Sequence, residues 1–313
     1  MAKFTGSTGH STAAIGAGWM ILAACLLGAL SLLVRHIADE LHPFEIAFFR
    51  NLLQLLLMVP WVIAAGIGVL RTGRMWAHVR RSLFGICAMM TWFWVITKMP
   101  IAEATAISFS APLFTTWGAA LFLGEKVGPR RWAATLVGFA GVLMIIRPGF
   151  HDVGPDQFVA QAMALLAAAL IAGAMLANKS LARTERPNAM VFWMGVYMSL
   201  LSIAPAVAVW RWPEGSVWGW IFALGIVATA AHLCLNRAFG KSDAAFIAPF
   251  GFVQIPFVAF AGYLVYAEMP DAWTWAGALV IMASGVYTAR REAKVSRAVS
   301  AVPQPGVAVV GRE

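Results

Sequence analysis

The stretch PLFTTWGAALFLGE, Pro112 to Glu125, returns about 143 residues later as PFVAFAGYLVYAE, Pro256 to Glu268. In the first copy Trp132 follows seven residues after the glutamate, with Gly141-Val142 beyond. In the second, Trp275 follows seven after, with Gly285-Val286 beyond. Each copy reads as two apolar helices joined by a short acidic turn. Lys126, Arg130 and Arg131 crowd the first turn, whereas no basic residue borders the second. Two similar halves whose matching turns face opposite sides of a membrane are the mark of an inverted-topology repeat.

Composition places the chain in lipid. Of 313 residues, 61% are apolar and 12% charged, against roughly 25% charged in soluble domains. The net charge of +9 is spread singly or in small groups between apolar runs. No basic stripe or base-stacking module accompanies it, so nucleic acid is not a partner. The excess reads as topology signal and as contact with anionic lipid heads. Cys25, Cys87 and Cys234 each sit inside an apolar run, away from any second Cys or His at ligand spacing. A disulfide framework and a metal site are therefore not expected. Leu22-Ala23-Ala24-Cys25 resembles a lipoprotein cleavage box, but one basic residue precedes it and apolar sequence continues to Val34. An uncleaved first membrane helix is the reading that fits.

Runs close to the ~20 residues that cross a bilayer occur at about 14–34, 44–68, 82–98, 104–124, 131–148, 157–177, 189–210, 216–236, 244–266 and 272–289. The third is the weakest, being short and ending in Lys98. With the N-terminus inside, 18 of the 23 Lys and Arg fall on the cytoplasmic side, the bias that sets orientation. Four (Arg35, Lys98, Arg147, Arg211) fall outside, and Arg50 lies within a span. Both termini are then cytoplasmic. Ten spans give five per half, and an odd number inverts the second half. The expected organisation is a cytoplasmic tail over 1–12, repeat one over 13–149, repeat two over 155–290 and a tail over 291–313. Both tails read as disordered from their Ser, Thr, Gly and Pro content.

These features resemble the drug/metabolite transporter superfamily, in its EamA-type branch of ten-helix carriers. The residues that carry the resemblance are Pro43-Phe44-Glu45 with Phe49-Arg50, and Pro112 to Glu125 with Gly141-Val142. Arg237-Ala238, Asp243-Ala244-Ala245 and Pro256 to Glu268 complete it. It covers roughly residues 14–290. The resemblance implies an all-α polytopic protein of a bacterial inner membrane, ten transmembrane helices in a 5+5 inverted repeat around a central cavity. It further implies a carrier of small organic metabolites, often outward. Members handle amino acids, riboflavin, S-adenosylmethionine and metallophores, so the family does not choose the cargo.

Ionisable groups inside membrane spans are expensive and mark candidate sites. Arg50 lies about 9 Å into its span at 1.5 Å per residue. It faces the cavity, holding a carboxylate or phosphate-like group, or lines the external gate, or fixes packing. Glu45 is five residues earlier, so the two do not stack on one helix face, and at least one needs a partner elsewhere. Lys98 and Glu103 flank Met99-Pro100 at the external start of the fourth span. Glu103 reads as a helix-end carboxylate favoured by the dipole or as a proton-coupling group. Glu45, Lys98 and Glu103 are thus gate or coupling candidates, with H+ the candidate ion. Glu125 and Glu268 each end a span at a turn and read as structural.

His232 and Asn236 lie one turn apart on the eighth span. Gln254 precedes Pro256 by two residues, and Ser108 and Ser110 precede Pro112. A proline deprives the preceding turn of a hydrogen bond, so these two sites point to paired helix breaks beside a cavity. Trp92, Phe93 and Trp94 cluster in mid-span, and Trp19 also lies inside its helix. Such rings wall a cavity for a flat substrate by stacking, or pack against lipid and helices. Trp210, Trp212, Trp218, Trp220 and Trp273 flank external loops as interfacial anchors. Ala160, Ala164, Ala168 and Ala172 form a small-residue stripe for close helix packing.

An enzyme acting on lipid would need clustered carboxylates or histidines. The sequence has no HExxH and no paired Asp motif. Gly240-Lys241-Ser242 lacks the upstream glycine of a phosphate loop, Leu235 standing there, so ATP hydrolysis is unsupported. No catalytic residue, metal or cofactor is expected. The leading expectation is export of an amino-acid-like or aromatic compound by alternating access; uptake of riboflavin or S-adenosylmethionine is the alternative. A monomer or a homodimer would serve either.

Overall fold

The computed structural model describes residues 8–122, 128–146, 155–181, 184–185, 187–241 and 244–300. Within them the chain is helical: α1 (Thr8–Ile37), α2 (Pro43–Ala65), α3 (Met75–Lys98), α4 (Ile101–Ser108), α5 (Ala111–Phe122) and α6 (Pro129–Ile146). Then follow α7 (Pro155–Leu181), α8 (Pro187–Ala208), α9 (Val217–Lys241), α10 (Ala244–Gly251), α11 (Gln254–Tyr266) and α12 (Ala272–Ser300). A 3-10 turn, Ile67–Leu70, separates α2 from α3.

Local chemistry sets the ends. At α2, Pro43 supplies the preset φ of a first helical residue. The His42 ring accepts from the Phe44 amide at 3.2 Å, and Glu45 reaches back to the His42 amide at 3.1 Å. That reciprocal box satisfies donors a helix start leaves bare. At the far end Gly66 takes φ 80°, open only to glycine at low cost.

The fourth and ninth apolar runs are each broken. The turn between α4 and α5 falls at Phe109-Ser110, where the Ser110 amide donates to Ile107 at 2.9 Å and Ser110 then accepts from Leu113 at 2.8 Å. The turn between α10 and α11 falls at Phe252-Val253, with Ile255 donating to Phe252 at 3.0 Å. Pro112 and Pro256 stand in the first turn of the helix that follows each break. Their missing N–H is an orphan position there, so they start new helices and do not kink old ones.

Seven described helices are long and apolar enough to cross a membrane by length and composition: those at Ala14–Ile37, Pro43–Ala65, Met75–Lys98, Pro155–Asn178, Ala189–Ala208, Val217–Leu235 and Pro249–Tyr266. The sequence reading gave ten. The fourth run is shortened by its break, and the sixth helix offers only the shorter apolar piece Trp132–Ile146. In α12 Trp273, Thr274, Trp275, Ser284 and Tyr287 dilute apolarity. The helices also extend into the expected tails. α1 starts at Thr8 and α12 continues to Ser300, since 291–300 holds Ala, Arg, Glu and Lys and meets no proline before Pro303.

Three antiparallel pairs frame the bundle. On α1 and α9, Arg237 sits 4.8 Å over the Trp19 ring at one end and His36 meets Trp220 at 4.9 Å at the other. On α3 and α7, Arg74 bonds the Ser180 carbonyl at 3.0 Å, while Gly173 lies under the Phe84 ring. On α6 and α12, Ser284 donates to the Ala134 carbonyl at 2.6 Å. There Gly141 and Gly277 cross backbone to backbone; a Cβ on Gly277 would lie 2.5 Å from the Gly141 oxygen. Without a hydrophobic drive between helices in lipid, such close approach supplies the packing. The alanine stripe of α7 behaves the same way, Ala160, Ala164 and Ala168 being fully buried. Of the tryptophans expected at the interface, Trp212, Trp220 and Trp273 are exposed. Trp210 and Trp218 instead pack on Phe49, at 5.4 and 5.5 Å, because α2 brings that ring beneath the α8–α9 connection.

Candidate functional site

A cavity of about 370 Å³ lies between α1, α2, α3 and α7, beside the two helix breaks. Helix α3 lines it with Arg81, Gly85, Met89 and Trp92, spaced so that one face of the helix turns inward. Ile171, Met175 and Asn178 do the same from α7, and Leu27, Leu30 and Ser31 from α1. Ser108 closes α4 and Gln254 opens α11, so each break places one polar residue at the cavity. The volume suits one small ligand.

Of the residues expected at the cavity, the lining gathers Arg50, Trp92 and Gln254. Arg50 is 4% exposed. Its Nη1 donates to Asn51 Oδ1 at 2.8 Å and lies 3.9 Å from Met89 Sδ, while Nε has no hydrogen-bond partner. Among the described residues no carboxylate pairs with it. A charge at membrane depth costs roughly 2.5–3.5 kcal/mol even on lenient scales, so an acid-free arginine calls for a reason beyond packing.

The others lie elsewhere. Trp19 packs against Arg237, and Trp94 joins the main apolar core. Ser110 is fully buried at the first break with its hydroxyl unpartnered, while Pro112 and Pro256 are exposed. His232 holds its Nδ1 2.9 Å from the Ala228 carbonyl oxygen. A carbonyl only accepts, so Nδ1 carries the hydrogen of this contact. The side chain of Asn236 lies outside the described residues, as does Glu125.

Two of the three gate candidates hold structural partners. Glu45, fully buried, completes the cap of α2 and accepts the Arg211 amide at 2.5 Å, tying α2 to the α8–α9 connection. Glu103 accepts from Gln161 Nε2 at 3.0 Å, joining α4 to α7. Lys98 is exposed at the end of α3. Glu268 pairs with Arg35 at 2.6 Å and accepts the Ile101 amide at 3.2 Å, capping α4 from the opposite half. Arg35 also lies 4.5 Å over the Tyr266 ring. Among the described residues no cluster of His, Cys, Asp and Glu is placed to hold a metal ion.

Sequence reasoning missed Arg81, Asn178 and Phe109. Arg81 was counted with the cytoplasmic loop charges, yet its Nε and Nη1 are buried and without partners. The signal was its i+4, i+8 and i+11 spacing to Gly85, Met89 and Trp92. Phe109 and Phe252, one at each break, meet with ring centroids 4.8 Å apart.

Two stretches, 14–147 and 159–289, match the EamA-like transporter family. The chain is 31% identical over 283 residues to an S-adenosylmethionine uptake transporter of Rickettsia bellii, covering 90% of this chain and 96% of that one. It is 30% identical over 290 residues to a riboflavin transporter of Rhizobium johnstonii, covering 92% and 95%. It is 29% identical over 277 residues to the pseudopaline exporter CntI of Pseudomonas aeruginosa, covering 86% and 94%. A solved crystal structure shares the fold with a TM-score of 0.61 at 22% identity, over 92% of this chain and 99% of that one. The helical bundle, the paired matches and relatives named as transporters, not enzymes, agree: the chain is a membrane-embedded small-molecule transporter and belongs to the EamA-like family of the drug/metabolite transporter superfamily.

Proposed function

We propose that the protein is a secondary carrier that moves one flat organic metabolite through the central cavity by alternating access, its halves 13–149 and 155–290 inserted in opposite senses. The observation that carries this reading is the cavity itself, where Trp92 stands beside a buried, acid-free Arg50 next to two broken helices. Half-helix ends near a midplane site are how carriers expose polar backbone groups to cargo. The antiparallel run of α6 against α12 supports the inverted insertion.

Inward movement is the working direction, because relatives named for S-adenosylmethionine and riboflavin carry fused-ring compounds that an aromatic wall suits. Outward movement is the second reading, favoured by the similarity to a pseudopaline exporter and by the sequence expectation. The protein sits in the inner membrane with both termini cytoplasmic, an orientation that the Lys and Arg bias supports and that a reporter fused after residue 313 tests directly.

The deciding experiment profiles metabolites in the medium and cytosol of deletion and overexpressing strains, then reconstitutes transport of the compounds that change. Uptake predicts depletion from the medium and analogue sensitivity; export predicts accumulation outside and analogue resistance. Proteoliposomes that move none of the changed compounds would remove the carrier reading.

A further inference from the structure

We propose that the cavity holds its cargo by an acidic group, a carboxylate or phosphate, gripped between the guanidinium groups of Arg50 and Arg81; this rests on the carrier reading above and names its substrate class. Both side chains line the same cavity, and among the described residues no Asp or Glu does. Arg50 lacks a carboxylate partner among the described residues, and its Nε is bare. Arg81 has Nε and Nη1 buried without hydrogen bonds.

The charged neighbours Arg74 and Glu185 are committed elsewhere. Arg74, on the same helix end as Arg81, donates to the Ser180 carbonyl, Ser180 Oγ and Thr184 Oγ1 at 3.0–3.2 Å. Glu185 accepts from Thr72 at 2.8 Å and faces His78 at 3.7 Å. The cavity therefore presents two positive forks and no compensating charge of its own. Two cations left without a counter-charge at membrane depth are costly, and an anionic oxygen arriving with the cargo supplies the missing partner. The guanidinium fork matches carboxylate and phosphate oxygens two at a time. Asn178 and Gln254 add amides at the same wall, while Trp92 and Phe93 face the apolar body.

The consequence is a cargo distinct from that of the S-adenosylmethionine relative. A sulfonium and an ammonium set against one carboxylate would bring net positive charge into a site that already holds two cations. An aromatic or heteroaromatic acid brings the opposite charge.

The test uses purified full-length protein and matched pairs that differ by charge: indole-3-acetate against its amide, adenosine monophosphate against adenosine, and flavin mononucleotide against riboflavin. S-adenosylmethionine and phosphatidylglycerol are run alongside, and binding is read as ligand-dependent thermal stabilisation. At least one acid should bind about tenfold or more tighter than its neutral partner, a difference of about 1.4 kcal/mol. Arg81→Gln and Arg50→Gln should each shrink that preference about fivefold or more while neutral binding persists, and Arg81→Lys should retain part of it. The proposal is overturned if no acid is preferred in any pair, if S-adenosylmethionine binds tighter than every acid, or if phosphatidylglycerol alone stabilises the protein. It is also overturned if the preference is unchanged in both Gln variants. Should those variants fail to fold, the wild-type pairs decide alone. Proteoliposomes that carry neutral compounds or S-adenosylmethionine without acid preference sink the anion site and leave the carrier standing. Failure to move any compound sinks the carrier while the binding preference remains measurable.

Discussion

The pairs α3–α7 and α1–α9 are built alike and used differently. Both are antiparallel, long and tightly packed. In α1–α9 the cation Arg237 is spent on the Trp19 ring, and His36 meets Trp220 edge-on. In α3–α7 the tryptophan and one arginine turn instead toward open space, Trp92 and Arg81 both lining the cavity. The same residue types that close one seam line a chamber along the other. Packing geometry therefore came with the fold, and the site came from turning Trp92 and an unpaired Arg81 to open space on one copy.

The most severe challenge to that contrast is a matched truncation. Trp92→Ala should raise KM for the transported compound about tenfold, since stacking on an aromatic is worth roughly 1–3 kcal/mol. Trp19→Ala should leave KM within twofold and lower only stability, by at least the ~0.5–1 kcal/mol of a cation–π contact, read as a lower melting midpoint. Equal transport defects in the two would erase the distinction between seam and chamber. Next comes Gly173→Val on α7, whose Cβ would stand 2.8 Å from the Phe84 ring. Overpacking of this kind costs about 1–3 kcal/mol, visible as a lower midpoint; an unchanged midpoint would mean the α3–α7 contact is looser than its partner.

Glu268→Gln probes a tie outside both seams, where α1 meets α4 through Arg35 and the Ile101 amide. The pair is about one-fifth exposed, so the loss should stay near 1 kcal/mol, with KM unmoved. Smallest of all, Lys98→Ala at the exposed end of α3 should shift stability by less than about 0.5 kcal/mol and leave transport at wild-type rate. A transport defect there would restore Lys98 as a gate residue.

Much of the frame was legible because it repeats. The paired breaks followed from matched prolines, and Glu268 read correctly as a structural turn residue because it closes a span. The prolines themselves were misjudged in role: they begin helices, and only the coordinates show which side of the break they occupy. Arg81 escaped because counting basic residues treats every charge near a loop as solvent-facing. Helical phase, not proximity to the loop, decides where a side chain one or two turns in will point. Phe109 and Phe252 carry no signal in an apolar run, since nothing local distinguishes a ring that meets its own counterpart from one that meets lipid.

That meeting has a mechanical consequence. With Phe109 and Phe252 in contact at 4.8 Å, the two interrupted helices share one bearing surface. A tilt of either half-helix displaces this ring contact, which links the two breaks directly. The duplicated chain behaves at its centre as a single joint with two leaves, and trimming either ring to alanine would loosen both leaves at once.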